Sequence, residues 1–146
     1  MSNNFNAQAT KLRQQTVSII QFPIHKASNG DIIVMENEDV PFSIARVFVV
    51  HGSKGAIRGQ HAHKECSQVL VCSNGHIDVV CDDGKKTKNY SLNSPNIGLF
   101  IPPGIWSQQS YKDSSTATVL CDQKYNEAEY IRIYDEFLDY VKQQYK

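Results

Sequence analysis

Short β-branched runs, each broken within a few residues by Gly, Pro, Asn or Asp, recur through most of this chain and constrain it more than any other feature. Such runs between turn formers are long enough for strands and too short for stable helices. They fall at 16–22, 31–35, 44–50, 68–72, 76–81, 86–92, 97–101 and 116–122. Ser73-Asn74-Gly75 reads as a turn between two of them, and Asp82-Asp83-Gly84 as a hairpin. Strands at these intervals predict an all-β sandwich or barrel. Helical spacing shows only near the carboxyl end, where Ile131, Tyr134, Leu138 and Val141 would share one face and Asp135, Glu136 and Asp139 would meet water. The expectation is an all-β domain carrying a short C-terminal helix.

A chain of 146 residues suits a single core. We take that core as one domain over 15–146, with the Asn- and Gln-rich stretch 1–14 as a flexible arm. Lys plus Arg and Asp plus Glu are both 15, so the formal net charge is zero. That balance lacks the cation excess with which a general nucleic-acid binder displaces counterions from phosphates. No apolar run is long enough to span a membrane, and the amino end is too polar for a signal peptide. Cys66, Cys72, Cys81 and Cys121 form no CxxC pair, and three of them sit inside apolar runs. They read as reduced structural thiols in a cytoplasmic protein.

The most informative stretch is Arg58-Gly59-Gln60-His61-Ala62-His63-Lys64. Residues two apart on a strand project from the same face, so His61 and His63 can enter one cavity together. Imidazole titrates near neutrality and can remove or return a proton. Beside Arg58 and Arg46, the pair could hold an anionic substrate and stabilise negative charge on an oxygen. Proton abstraction next to a carbonyl is the reaction class that fits these parts. Arg46 lies in an otherwise apolar strand, where a buried guanidinium needs a partner, either a carboxylate or a ligand phosphate.

The His-Ala-His spacing resembles the first cupin motif, and Pro102-Pro103-Gly104-Ile105-Trp106-Ser107 resembles the second. Metal-binding cupins use three His and one carboxylate. Here Gln68 stands where the carboxylate is expected and Ser107 where the third His is expected. Neither supplies the charge or basicity that a divalent cation requires, so no metal is expected.

Five ordered segments extend the likeness. They are Pro41-Phe42-Ser43-Ile44-x-Arg46-Val47, Arg58-Gly59-x-His61-Ala62-His63-Lys64, Gln68-Val69-Leu70-Val71-Cys72, Asp82-Asp83-Gly84 with Leu92-x-Ser94-Pro95, and Tyr130-Ile131-Arg132-x-Tyr134-Asp135-x-Phe137. Together they resemble the nucleotide-sugar 3,4-ketoisomerases, WxcM-like cupins that act on dTDP-4-keto-6-deoxyglucose. The resemblance implies a small cupin-type jelly-roll barrel, a homodimer, and no metal or other cofactor. It implies conversion of a 4-keto sugar to its 3-keto isomer through an enediol(ate), ahead of amino-sugar formation for surface polysaccharide. His61 and His63 would transfer the proton, and Arg46 and Arg58 would contact diphosphate or the developing oxyanion. Lys64, Gln68, Trp106, Ser107 and Asn29 are further candidate substrate contacts. Gln68 joins them only if the strand is interrupted after His63. Asn29 and Ser107 mark the two places where the chain departs from the family pattern, which commonly has Arg and His there. The alternatives are a catalytically silent nucleotide-sugar-binding cupin and a 3,5-epimerase-like enzyme. His25, His51 and His76 lack a paired context, Tyr130, Tyr134 and Tyr140 suit helix packing, and Lys85, Lys86 and Lys88 suit a solvated strand edge.

Overall fold

Two long antiparallel strands with alternating side chains organise the structure. The computed structural model describes residues 16–144, so the expected arm at 1–14 lies outside the described residues. In chain order the strands are β1 (Ser18–Gln21), β2 (Ile24–Ala27), β3 (Gly30–Ile33), β4 (Arg46–Gly52), β5 (Ile57–His63), β6 (Gln68–Asp82), β7 (Thr87–Leu92), β8 (Ile97–Ile101), β9 (Trp106–Cys121) and β10 (Tyr130–Ile131). A helix, α1 (Tyr134–Gln144), comes after them. The described residues are therefore mostly β with one short α-helix.

β6 and β9 pair from Gln68↔Cys121 to Asp82↔Trp106. Successive halves of β6 also pair with β8 and β7, and successive halves of β9 with β5 and β4. β1 extends the sheet beyond β8, β10 extends it beyond β5, and the β2–β3 hairpin stands apart.

Alternation on β6 sorts its apolar residues to two sides. Leu70 and Cys72 pack into one core with Ile77, Val79, Leu99, Tyr111 and Val119. Val69 and Val71 face the opposite core, with Phe22, Phe100 and Leu120, which Met35, Val40, Phe42 and Ile44 cover. Strands buried on both faces lose the polar alternation of a surface strand, which is why 68–72 reads as continuous apolar sequence.

Three sequence expectations are corrected. Ser73-Asn74-Gly75 is not a turn, since β6 runs through it with register shifts on either side of Asn74. Gly75 has φ 98°, and a Cβ there would lie 2.3 Å from Ser115 Oγ, so the glycine admits a crossing side chain and kinks the strand instead of reversing it. The last long strand begins at Trp106, not Thr116, because the inward positions of its first half, Ser107 and Gln109, are polar and break the apolar pattern. Ile131 belongs to β10, paired with Ala62, and the helix starts at Tyr134. Ile131 nevertheless meets the helix, since it packs with Ala62, Phe137 and Val141.

Candidate active site

A bulge in β5 builds the site. Gly59 and Gln60 both adopt left-handed backbone, with φ 83° and 57°, and the pairing with β9 shifts between Gly59 and His61. A Cβ on Gly59 would approach Ser107 O to 2.9 Å, so only glycine is comfortable there. The inserted residue re-aims the side chains beyond it. Arg58 and His61 consequently line the same cavity despite their odd spacing. That cavity, about 360 Å³, is also lined by Gln68, Gln109, Tyr130 and Arg132 over an apolar floor that includes Phe48 and Leu70.

The two histidines have different surroundings. His61 Nδ1 lies 3.0 Å from Gly59 O. A carbonyl oxygen only accepts, so Nδ1 carries the proton and Nε2 keeps a lone pair. Burial first, then His63 and Arg132, push the His61 pKa down to about 4, so the ring is neutral at pH 7. His63 is buried, and its Nδ1 donates to Glu129 Oε1 at 2.5 Å. Its Nε2 is buried with no hydrogen-bond partner among the described residues. The imidazole centroids are 5.0 Å apart, edge to face, and the Tyr130 ring lies 4.4 Å from His63 and 5.1 Å from His61.

Glu129 escapes sequence reasoning. It ends a 3-10 turn, Glu127–Glu129, and β10 carries it to His63 through the Tyr130↔His63 pair. Its Oε2 also accepts from the amides of Glu65 at 3.2 Å and Cys66 at 3.3 Å. Burial pushes this carboxyl up, but the hydrogen bonds from His63 and the two amides outweigh it and hold it below the usual carboxylate range. A carboxylate on Nδ1 fixes the ring orientation of His63. The only signal in the sequence was its place beside Tyr130-Ile131-Arg132, one of the segments behind the family resemblance.

Arg46 has neither partner considered for it. It makes no ion pair with a carboxylate among the described residues; its Nη2 is 4.0 Å from Cys66 Sγ, and its Nε is buried with no hydrogen-bond partner among the described residues. Its guanidinium also lies against the rings of Phe48 at 5.4 Å and Tyr125 at 5.7 Å. Arg132, another residue the sequence pattern does not single out, makes a two-point ion pair with Glu127 at 2.5 and 2.9 Å and stacks over Tyr130 at 4.6 Å.

The other candidates divide. Gln68 lines the cavity from β6, a strand separate from β5, with Nε2 3.5 Å from Cys121 Sγ. Ser107 is buried opposite His61, on the same side of β9 as Gln109. Lys64 points to solvent, and only its amide serves the region, by bonding Glu129 O at 2.8 Å. Trp106 packs against Tyr134 at 5.3 Å and Phe137 at 5.7 Å, under α1 and away from the cavity lining. Asn29 lies in the exposed β2–β3 turn, also outside that lining. Tyr130, assigned from sequence to helix packing, instead lines the cavity.

Neither set of potential metal donors suits a divalent cation. His61, His63, Gln68 and Ser107 include no anionic donor, and the Gln68 amide is turned to sulfur. His63, Cys66 and Glu129 place donors within 4.8 Å of one another. There, however, the carboxylate is already occupied by three N–H groups, and a guanidinium stands 4.0 Å from the thiol.

The family described as FdtA: WxcM-like, C-terminal, matches residues 15–142. This chain belongs to that family. It is 39% identical over 126 residues to the TDP-4-oxo-6-deoxy-alpha-D-glucose-3,4-oxoisomerase of Aneurinibacillus thermoaerophilus, covering 84% of this chain and 91% of that one. The crystal structure of a 3,4-ketoisomerase from Helicobacter canadensis superposes with TM-score 0.84 at 39% identity, over 88% of this chain and 99% of that chain. A histidine-to-asparagine mutant of the 3,4-ketoisomerase QdtA from Thermoanaerobacterium thermosaccharolyticum, in complex with TDP-4-keto-6-deoxyglucose, gives 0.83 at 32% identity, over 87% and 94% of the two chains.

Proposed function

We propose that this chain is a TDP-sugar 3,4-ketoisomerase that moves the carbonyl of TDP-4-keto-6-deoxyglucose from C4 to C3 by acid–base chemistry of its own side chains. The observation that carries the reading is the division of labour between the histidines, together with relatives of that activity covering nearly the whole chain. His63, backed by Glu129, is the base for carbon: its unpartnered Nε2 takes the C3 proton and returns it at C4. His61, neutral and with a free Nε2 lone pair, takes the hydroxyl proton from O3 and delivers it to O4. Two protons move, no electrons leave the sugar, and both imidazoles end as they began. Burial keeps Tyr130 protonated although Arg46 beside it opposes this, so its hydroxyl is a donor for the enediolate oxygen. Arg58 and Arg132 supply the cations that line the cavity for the diphosphate.

The sheet reads as the small jelly roll of the cupin type. A homodimer in the cytoplasm is the working assembly, and the exposed Val47 and Val49 on edge strand β4 favour such pairing. Surface-polysaccharide amino-sugar synthesis is the setting.

Proton NMR of the purified protein with dTDP-4-keto-6-deoxyglucose in heavy water tests the reaction. The expected result is a 3-keto signal set with deuterium at C4. Inversion of ring carbons without carbonyl migration, or dTDP binding with no exchange at C3, overturns it.

A further inference from the structure

Arg132 lines the cavity with half of its side chain in water, where an arginine ordinarily samples many rotamers. Here two neighbours restrain it. Glu127 accepts from its Nε at 2.5 Å and from its Nη2 at 2.9 Å, and the guanidinium lies over the Tyr130 ring at 4.6 Å. Glu127 is itself held, since its Oε2 also accepts from the Tyr125 hydroxyl at 2.6 Å. The bonds from Arg132 and then Tyr125 hold the Glu127 carboxyl down at about 2, so it is ionised at neutral pH. The segment carrying these residues is fixed at both ends. Asn126 caps the 3-10 turn by accepting from the Ala128 amide at 3.1 Å, and Ile131 pairs with Ala62 of β5. Tyr130 and Arg132 are two apart and share a face, which sets the guanidinium beside a ring that lies 5.1 Å from His61. Neither Glu127 nor Tyr125 lines the cavity.

An isolated ion pair between exposed side chains contributes little to stability, so this one is better explained by what it does for Arg132. A guanidinium has five N–H groups, and Glu127 takes one on Nε and one on Nη2. We propose that Glu127, outside the cavity, is a positioning residue that acts through Arg132: it fixes the guanidinium against Tyr130 so that the N–H groups it leaves unused meet the diphosphate of the bound sugar nucleotide. The pair is neutral as a whole, so Glu127 contributes direction and not net charge. Without the carboxylate the arginine spreads over rotamers reaching into solvent, and each binding event has to order it again. This role rests on the sugar-nucleotide reading of the cavity and extends it to a residue that touches no substrate.

Isothermal titration calorimetry with dTDP as the probe tests it on the full chain, in wild type, Glu127→Gln, Arg132→Gln and the double variant. Each single substitution should weaken binding about tenfold, as for one charge-assisted hydrogen bond. The double variant should bind within about twofold of Arg132→Gln alone, because Glu127 then has nothing left to position. With the sugar substrate, Glu127→Gln should raise KM about tenfold while kcat changes less than about twofold, since the diphosphate is held alike in ground and transition states. The urea midpoint should stay near wild type. Unchanged or tighter dTDP binding by Glu127→Gln, or losses that add in the double variant, overturns the role, and a lowered midpoint with unchanged affinity makes the pair a structural clasp instead. A wild type that binds no dTDP overturns it together with the reading beneath it. A wild type that binds dTDP without isomerising the sugar overturns only the reaction, and the binding cycle still decides on Glu127.

Discussion

Acidifying the solution from pH 7 to pH 5 should destabilise the protein through His61 in particular, and by a calculable amount. The ordinary histidine pKa is 6.5, and the folded protein lowers that of His61 to about 4. As pH falls through 6.5 the unfolded chain takes a proton that the native state refuses until about pH 4. The unfolded state therefore gains, and stability is lost across that window. The full shift corresponds to about 3 kcal/mol, of which about 2 kcal/mol is lost by pH 5. Water in the cavity screens part of this, which leaves about 1–2 kcal/mol. Glu129 acts in a more acid window. Its pKa is depressed from 4.5, so its contribution is present above that value and disappears only as pH falls through the lower folded one. The assay is urea unfolding of wild type and His61→Asn at pH 7 and pH 5. Wild type should lose about 1–2 kcal/mol more than the variant, and an imidazole titration by NMR should find His61 neutral down to nearly pH 4. Parallel losses in the two proteins would refute the argument, because His61 would then protonate as readily folded as unfolded.

Three further outcomes are expected. Glu129→Gln keeps a hydrogen-bonding group of the same shape but removes the charge behind His63, so kcat should fall on the order of 100-fold with KM little changed; a drop in affinity without a drop in kcat would mean that Glu129 acts only on binding. Gly59→Ala forces a side chain onto φ 83° and to within 2.9 Å of Ser107 O, and should cost about 1–3 kcal/mol in urea unfolding, with loss of turnover as the bulge relaxes; unchanged stability would show that the bulge is not strained. Phe137→Ala empties a fully buried site between α1 and Trp106, and should cost about 3–5 kcal/mol by the same measurement; a loss below about 1 kcal/mol would mean that the helix is not anchored there.

Signals in the sequence disclose structure only over the range at which each acts. That His61 and His63 lie close together was legible because strand parity acts over two residues, although only His61 lines the cavity. Lys64 and Trp106 were misplaced for complementary reasons. Lys64 is one residue from His63 and so takes the opposite face, while Trp106 stands one residue before Ser107 and turns to the helix that packs there. The bulge at Gly59 and Gln60 interrupts parity between Arg58 and His61, and no local rule announces it. Glu129 lies 66 residues from the histidine it serves. Only the pairing of β10 with β5 joins them, and that pairing rests on two register pairs.

The position of Glu129 also explains how a cupin-like histidine pair is fitted for proton transfer. A carboxylate inside the cavity, beside His61, would draw a cation there. Placed behind His63, on Nδ1, the same charge fixes the ring and commits that nitrogen without occupying the cavity. Gln68 then leaves its part of the cavity wall neutral, and Arg58 lines that wall with no carboxylate among the lining residues, while Arg132 stands there already paired with Glu127. His61 stays neutral in that field because Gly59 O holds its Nδ1 proton and burial resists a second one. Two identical side chains thereby acquire different hydrogen-bond partners, one a carboxylate and the other a carbonyl, and in the proposed reaction that difference assigns one of them to carbon and the other to oxygen.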